Sequence, residues 1–472
     1  MSFALAFVLN ACLSFALSFV VAALVGPDAY GRYGIAVALS VVINTILFEW
    51  LRLSTTRYVS DRSRAGQPEI AATLRAAYRA CSGVLALLTI VALASGFDLH
   101  LSGPLVAAAS LVGLTAGLFD WSAADARARF QERRFIGLIV SRGVLAFGLS
   151  IGAAFLWPDP SVILVAFASA AALSCLVFSD RTASASPGRP DGSLIGRFAR
   201  YGLPLVAAGA LYQALPLLNR TVLAGRSGFA EAAYFTLAGE IAMRLFQNLG
   251  SALDLGLFQL AIRAEERDGR EAGDAQAARN LALISAILVP AAAGLCIVWP
   301  AFQALFVPIA FQARIEVPML LSIPALAIYG LLHYGMHPIF QLRGRTGPVI
   351  AASGAALFAN AALLLAAPDT MGATAAAAIQ LASFGLALVV LMGMAAWAGT
   401  RLPWRDLACI LLASGLMVAA LLPWRHLTDP LLLLPLQVAA GGALYAALAV
   451  ALDVEGARLL LAGLRSRLRR RR

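Results

Sequence analysis

Along this chain, runs of about twenty almost wholly apolar residues alternate with short stretches holding Gly, Pro and Arg. A helix rising 1.5 Å per residue needs ~20 residues to cross ~30 Å of hydrocarbon. Backbone groups in lipid must be satisfied within the segment, so each run reads as a helix and each polar stretch as a loop. The runs predict fourteen membrane helices, over residues 3–25, 33–51, 80–99, 103–121, 135–157, 161–178, 201–223, 232–260, 281–299, 317–342, 349–366, 374–397, 407–422 and 431–452. Between the first two, "GPDAYGRYG" (26–34) reads as a hairpin turn whose glycines permit the reversal and whose proline stops the first helix. The first run lacks a basic start and is longer than the apolar region of a signal peptide, so it is expected to be retained.

Charge supports the same count. All 36 basic residues are arginine, and the net charge is +11. Taking the N-terminus as cytoplasmic, 29 arginines fall in cytoplasmic segments, while Arg32, Arg220, Arg226, Arg314 and Arg425 fall on the other side and Arg142 and Arg244 lie within helices. Cytoplasmic loops collect positive charge, so this alternation predicts fourteen spans with both termini cytoplasmic. It also moves the basic balance away from nucleic acid and toward membrane topology.

The chain is 61% hydrophobic and 13% charged, against about 25% charged in ordinary soluble domains, so the bilayer is its solvent. Cys12, Cys81, Cys175, Cys296 and Cys409 are scattered singly in apolar runs and read as small buried hydrophobes, not as disulfides or metal ligands.

The best internal boundary is the Ser/Pro/Gly-rich stretch "DRTASASPGRPDGSLIGRFAR" (180–200). It suggests an N-terminal six-helix lobe over 1–180, a linker over 181–200, a C-terminal six-helix lobe over 201–400, two further helices over 401–455 and a basic tail over 456–472. The tail, "RLLLAGLRSRLRRRR" (458–472), suits anionic inner-leaflet lipid. Six is even, so the lobes would be parallel repeats about an axis normal to the membrane. "LVGPDAYGRYGIAVAL" is echoed by "VLAGRSGFAEAAYFTLA", which pairs Tyr33 with Tyr234.

The turn "LVGPDAYGRYGIAVAL", the start of the second half "FARYGLPLVAAGALYQALPLLNRTVLAG", the turn "LRGRTGP" and "APDTMGATAAAA" resemble the polysaccharide-transporter branch of the multidrug/oligosaccharidyl-lipid/polysaccharide exporter superfamily. The resemblance runs from Phe3 to about Trp397. It implies an all-α membrane protein with two six-helix lobes around a central cavity, acting as a bacterial flippase for glycans linked to a polyprenyl pyrophosphate. In members of the family helix seven ends in an acidic residue followed by arginine; here the pair is Asn219-Arg220.

Residues that could carry transport cluster on a few helices. Glu240, Arg244, Gln247, Ser251 and Asp254 recur every three or four positions, on one face of the eighth helix. Intramembrane ionisable groups mark pathways or pair with one another. Arg244 could therefore bind a pyrophosphate in bidentate fashion, or neutralise Glu240 at i, i+4; Gln247 and Ser251 would line the same lumen, and Glu240 and Asp254 are ion-coupling candidates. Arg142, inside the fifth helix, fits a substrate contact or a side chain snorkelling to the headgroups. Thr45, Glu49, Arg52 and Thr56 form a second stripe, with Arg52 a substrate candidate, Glu49 and Asp120 ion-coupling candidates, and interfacial solvation the rival reading. Pro204, Gly209 and Pro216 could hinge the seventh helix or kink it statically. His333 and His337 are four apart, but no Cys or acidic residue within that helix completes a metal site, which leaves a proton relay or ordinary packing. Asn219-Arg220-Thr221 matches a glycosylation acceptor only formally.

The resemblance implies a flippase carrying a lipid-linked oligosaccharide across the bacterial inner membrane, with membrane lipids, a polysaccharide polymerase and glycosyltransferases as expected partners. The alternatives are a drug exporter of the same superfamily, which would favour acidic charge in its cavity, and a membrane glycosyltransferase or polymerase. An enzyme would need a sizeable outer loop or an acid pair at the membrane surface, and neither is visible. No nucleotide-binding motif and no cofactor site is expected.

Overall fold

The computed structural model describes residues 3–59, 68–95, 100–179, 188–425 and 429–458, which are helical with short connections. Most of the basic tail and residues 181–187 of the expected linker lie outside the described residues. The first helices are α1 (Phe3–Leu47), α2 (Glu49–Tyr58), α3 (Pro68–Ser95), α4 (Gly103–Ala128), α5 (Glu132–Leu156), α6 (Pro160–Val177) and α7 (Gly192–Ser227). There follow α8 (Phe229–Asp268), α9 (Arg270–Phe306) and α10 (Ile309–Gly330), a π-helical turn (Leu331–Met336), and α11 (His337–Leu342). The last four are α12 (Gly347–Ala366), α13 (Ala373–Trp397), α14 (Trp404–Leu421) and α15 (Pro430–Ala451).

Twelve of the described helical segments are long and apolar enough to span a membrane. The first contains two spans, because α1 breaks at Gly26 (φ 75°, ψ 174°). The eighth helix, α8, falls outside those twelve because Glu240, Arg244 and Asp254 interrupt its apolar face. Together these recover the fourteen spans of the sequence pattern.

The first turn is tighter than the sequence suggests. Only Gly26 leaves helical geometry, and helix resumes at Pro27, so Gly31 and Gly34 are helical residues and not turn residues. Gly228 repeats the conformation of Gly26 (φ 91°, ψ 165°), a region open essentially to glycine alone. The two breaks therefore set the repeat register one residue away from the expected pairing, aligning Tyr33 with Phe235 instead of Tyr234.

Helix starts follow their caps. Asp159, Asp191 and Asp429 each accept backbone N–H groups of the next turn, at 2.8 Å to Ser161, 2.8 Å to Ser193 and 3.0 Å to Leu431, and Pro160 and Pro430 occupy first-turn positions that need no N–H donor. The Ser193 contacts hold the Asp191 carboxyl below its usual range. Capped there, α7 starts inside the stretch expected to be linker, and the Asp191 N–H donates to Thr73 Oγ1 on α3 at 2.9 Å.

The chain forms two compact units, Met1–Leu237 with Leu357–Ala376, and Ala238–Ala356 with Ala377–Arg472. In the first, Phe48, Leu51, Ile70, Leu74, Leu194 and Phe198 form a core among α1, α2, α3 and α7. The α12–α13 turn belongs to this unit because the α7–α8 turn holds both helix ends. Arg226 donates to the carbonyls of Leu364 (2.9 Å) and Ala367 (3.0 Å), while the Glu231 carboxylate accepts the Ala373 N–H (2.8 Å). Each charge matches the dipole of the terminus it touches.

In the second unit, Ile297 of α9 packs with Met417 and Leu421 of α14, beside Leu444 and Tyr445 of α15. Arg279 pairs with Glu455 at 2.8 Å, although burial pushes that carboxyl upward. Arg343 grips Asp274 with two hydrogen bonds, which raise the guanidinium pKa.

Candidate functional site

The α8 stripe lies in the second unit. Its 3–4 spacing survives because α8 is continuous from Phe229 to Asp268, so Glu240, Arg244, Gln247, Ser251 and Asp254 share a face. Gln247 and Ser251 are exposed, and Arg244 and Asp254 are partly buried. The Glu240–Arg244 ion pair is loose, with 3.7 Å between Oε2 and Nη2, beyond hydrogen-bond reach. Arg244 makes no hydrogen bond among the described residues, and its Nε is buried without a partner. Glu240 therefore offsets part of the charge while leaving the donors of Arg244 unused.

A residue missed in the sequence completes this wall. Tyr334, on the π-helical turn, lays its ring against Gly250, where any Cβ would overlap it, and its hydroxyl approaches the Gln247 carbonyl at 3.4 Å. Among the described residues Asp254 has no hydrogen bond or ion pair. π-Helical turns displace one residue from the regular ladder and occur often at functional positions. Here the turn presents His333 exposed and stacked on Tyr329, with centroids 5.9 Å apart, and buries His337.

The first unit holds a second polar group. Arg52 is bound through two nitrogens to Glu49, with Nε to Oε2 at 2.9 Å. Asp120 accepts a hydrogen bond from Asn44 Nδ2 at 3.0 Å. The expected stripe is not continuous, because the chain leaves helix at Phe48 (φ −120°, ψ −23°), which separates Thr45 on α1 from Glu49 and Arg52 on α2. Thr45 and Thr56 spend their hydroxyls on carbonyls four residues back. Arg142 on α5 sits over the Phe119 ring at 4.2 Å and near Phe167 at 5.8 Å.

Helix α7 is unbroken through Pro204, Gly209 and Pro216. Near its end Arg220 donates to the Gly34 carbonyl at 2.7 Å, and both amide atoms of Asn219 are buried without hydrogen-bond partners. No group of three or more His, Cys, Asp or Glu able to hold a metal occurs among the described residues.

A family model described as "Polysaccharide biosynthesis protein" matches residues 20–311. A solved structure described as the lipid II flippase MurJ in an inward closed conformation aligns with TM-score 0.74 and 13% identity, covering 96% of this chain and 98% of that one. An inward-facing multidrug resistance MATE family transporter of the MOP superfamily aligns with TM-score 0.55 and 13% identity, covering 89% and 96%. At these identities the likeness is one of fold. No curated protein matches in sequence.

Proposed function

The chain belongs to the polysaccharide biosynthesis protein family, within the polysaccharide-transporter branch of the multidrug/oligosaccharidyl-lipid/polysaccharide exporter superfamily, and from that premise we propose that it flips a lipid-linked oligosaccharide across the bacterial inner membrane. The observation that carries the reading is Arg244, a guanidinium with unused donors on the polar face of α8, beside the exposed Gln247 and Ser251. Carrying such a group into a membrane costs ~2.5–3.5 kcal/mol on insertion scales, a cost that a diphosphate would offset by accepting bidentate hydrogen bonds. Gln247 and Ser251 would meet hydroxyls of the attached sugars, and Glu240 and Asp254 would carry the coupling charge.

Transport proceeds without a bond made or broken. The two six-helix lobes alternate in access, with Pro204, Gly209 and Pro216, through which α7 runs unbroken in this structure, marking where the helix would bend. Both termini lie in the cytoplasm, and the glycan leaves from the opposite leaflet toward a polymerase. Deleting the gene should cause lipid-linked oligosaccharide to accumulate on the cytoplasmic leaflet, with the enzymes that assemble it still active. Normal surface glycan in the deletion strain, together with lost efflux of a cationic dye, would move the assignment to a drug exporter.

A further inference from the structure

Arg142 shares with Arg57 and Arg127 of its unit a guanidinium set against aromatic rings, and differs from the arginines of that unit that carboxylates bind. Arg52 is taken up by Glu49, while Arg129 and Arg134 are bound to Asp125 at 2.7 and 2.9 Å. Arg142 makes no hydrogen bond or ion pair among the described residues; the two phenylalanine rings lie against it, and its charge also reaches Cys175. The neighbouring carboxylate, Asp120, is engaged by Asn44 instead. A structural ion pair therefore does not account for this cation.

Arg142 lies ten positions into α5, Phe119 nine positions before the end of α4, and Phe167 ten before the end of α6. At 1.5 Å per residue all three sit about 15 Å from those helix ends. The guanidinium is held 4.2 Å from the Phe119 centroid, within the layer that the three residues share. None of its nitrogens is sealed away without a partner, in contrast to Arg244 Nε. A ring against the guanidinium limits its rotation, while its five N–H donors, which lie in the guanidinium plane, remain open. That is the arrangement a planar, bidentate phosphoryl contact requires.

We propose that Arg142, stacked on Phe119 and Phe167, is a phosphoryl-binding point separate from the α8 stripe, taking the oxygens of a membrane-anchored phosphate or diphosphate. Two lipids supply that chemistry: the diphosphate of a polyprenyl carrier, which rests on the flippase reading above, and the headgroup of an anionic phospholipid.

The test uses the full-length protein. Binding of farnesyl diphosphate is measured in detergent, and retention of phosphatidylglycerol is measured by native mass spectrometry after release from nanodiscs of that lipid mixed with phosphatidylethanolamine. Arg142→Gln should weaken one ligand about tenfold, and Arg142→Lys and Phe119→Leu should weaken the same ligand by about threefold or more, since both disturb the planar fork or its support. Phe119→Leu keeps the cation, so it also covers the case in which the arginine variants fail to fold. Loss confined to farnesyl diphosphate assigns the carrier, and loss confined to phosphatidylglycerol assigns the headgroup. Wild-type binding of farnesyl diphosphate with no change in either ligand in any variant overturns the Arg142 proposal and leaves the flippase reading standing. A wild type that retains neither ligand removes both.

Discussion

Gly34 packs against Thr236 so closely that a Cβ on Gly34 would lie 2.5 Å from Thr236 Cγ2. Each residue follows a left-handed glycine, Gly26 or Gly228, by eight positions, so the contact joins equivalent places of the two halves. Gly31 adds to it by lying on the Phe229 backbone, with no room for any side chain. The helical segments that follow Gly26 and Gly228 thus meet, within one unit, with no space for a side chain at Gly31 or Gly34. Cysteines at Gly34 and Thr236, in a chain without its native cysteines, should form a disulfide on mild oxidation and stop export until reduced. Undiminished export by the cross-linked protein would mean that this contact need not open during transport.

Arg226 and Glu231 bind the ends of two helices more than a hundred residues away in sequence. Replacing either by alanine should cost about 1 kcal/mol, the scale of a charge at a helix terminus, and lower the midpoint of thermal unfolding in detergent. Equal midpoints for wild type and both variants would show that the α12–α13 turn is held by packing alone.

The 3.7 Å separation from Glu240 bears on what Arg244 does. Arg244→Ala should abolish export at normal protein levels. Arg244→Lys should be clearly impaired, because lysine keeps the charge and loses the planar fork. Restoration of export by Glu240→Ala combined with Arg244→Ala would instead show that the arginine serves only its neighbour, since removal of both partners of a buried pair can be nearly neutral.

Exposure of Gln247 and Ser251 has two meanings in a membrane, lumen or lipid. Cysteines at these positions should react with a charged, water-soluble thiol reagent, whereas one at the buried Ala242 or at the exposed, apolar-flanked Leu432 should not. Reaction at Leu432 equal to that at Gln247 would remove the lumen assignment.

The arginine alternation predicts orientation. Reporters fused after Arg197 and Arg270 should read cytoplasm, and those after Asp159 and Asp369 should read periplasm. One inverted reporter in the second half would break the fourteen-span topology.

The sequence by itself determined the membrane class, the number of spans and the face of α8 that carries Arg244, because these depend on local quantities: run length, hydropathy and a period of 3.6 residues. It marked Gly26 as a turn for the same reason. Only the tertiary structure decided that Gly31 and Gly34 serve close packing, since a helical glycine and a turn glycine are identical letters until a neighbour such as Phe229 or Thr236 arrives. The tertiary structure also decided which arginines are occupied. Arg52 and Arg142 look alike in the sequence, each in or beside an apolar run. One is bound by a carboxylate three residues away, and the other meets rings 23 and 25 residues distant in the chain, brought to it by the packing of α4 and α6. Whether a charge is neutralised or left available depends on which helices pack together, and no local pattern carries that information.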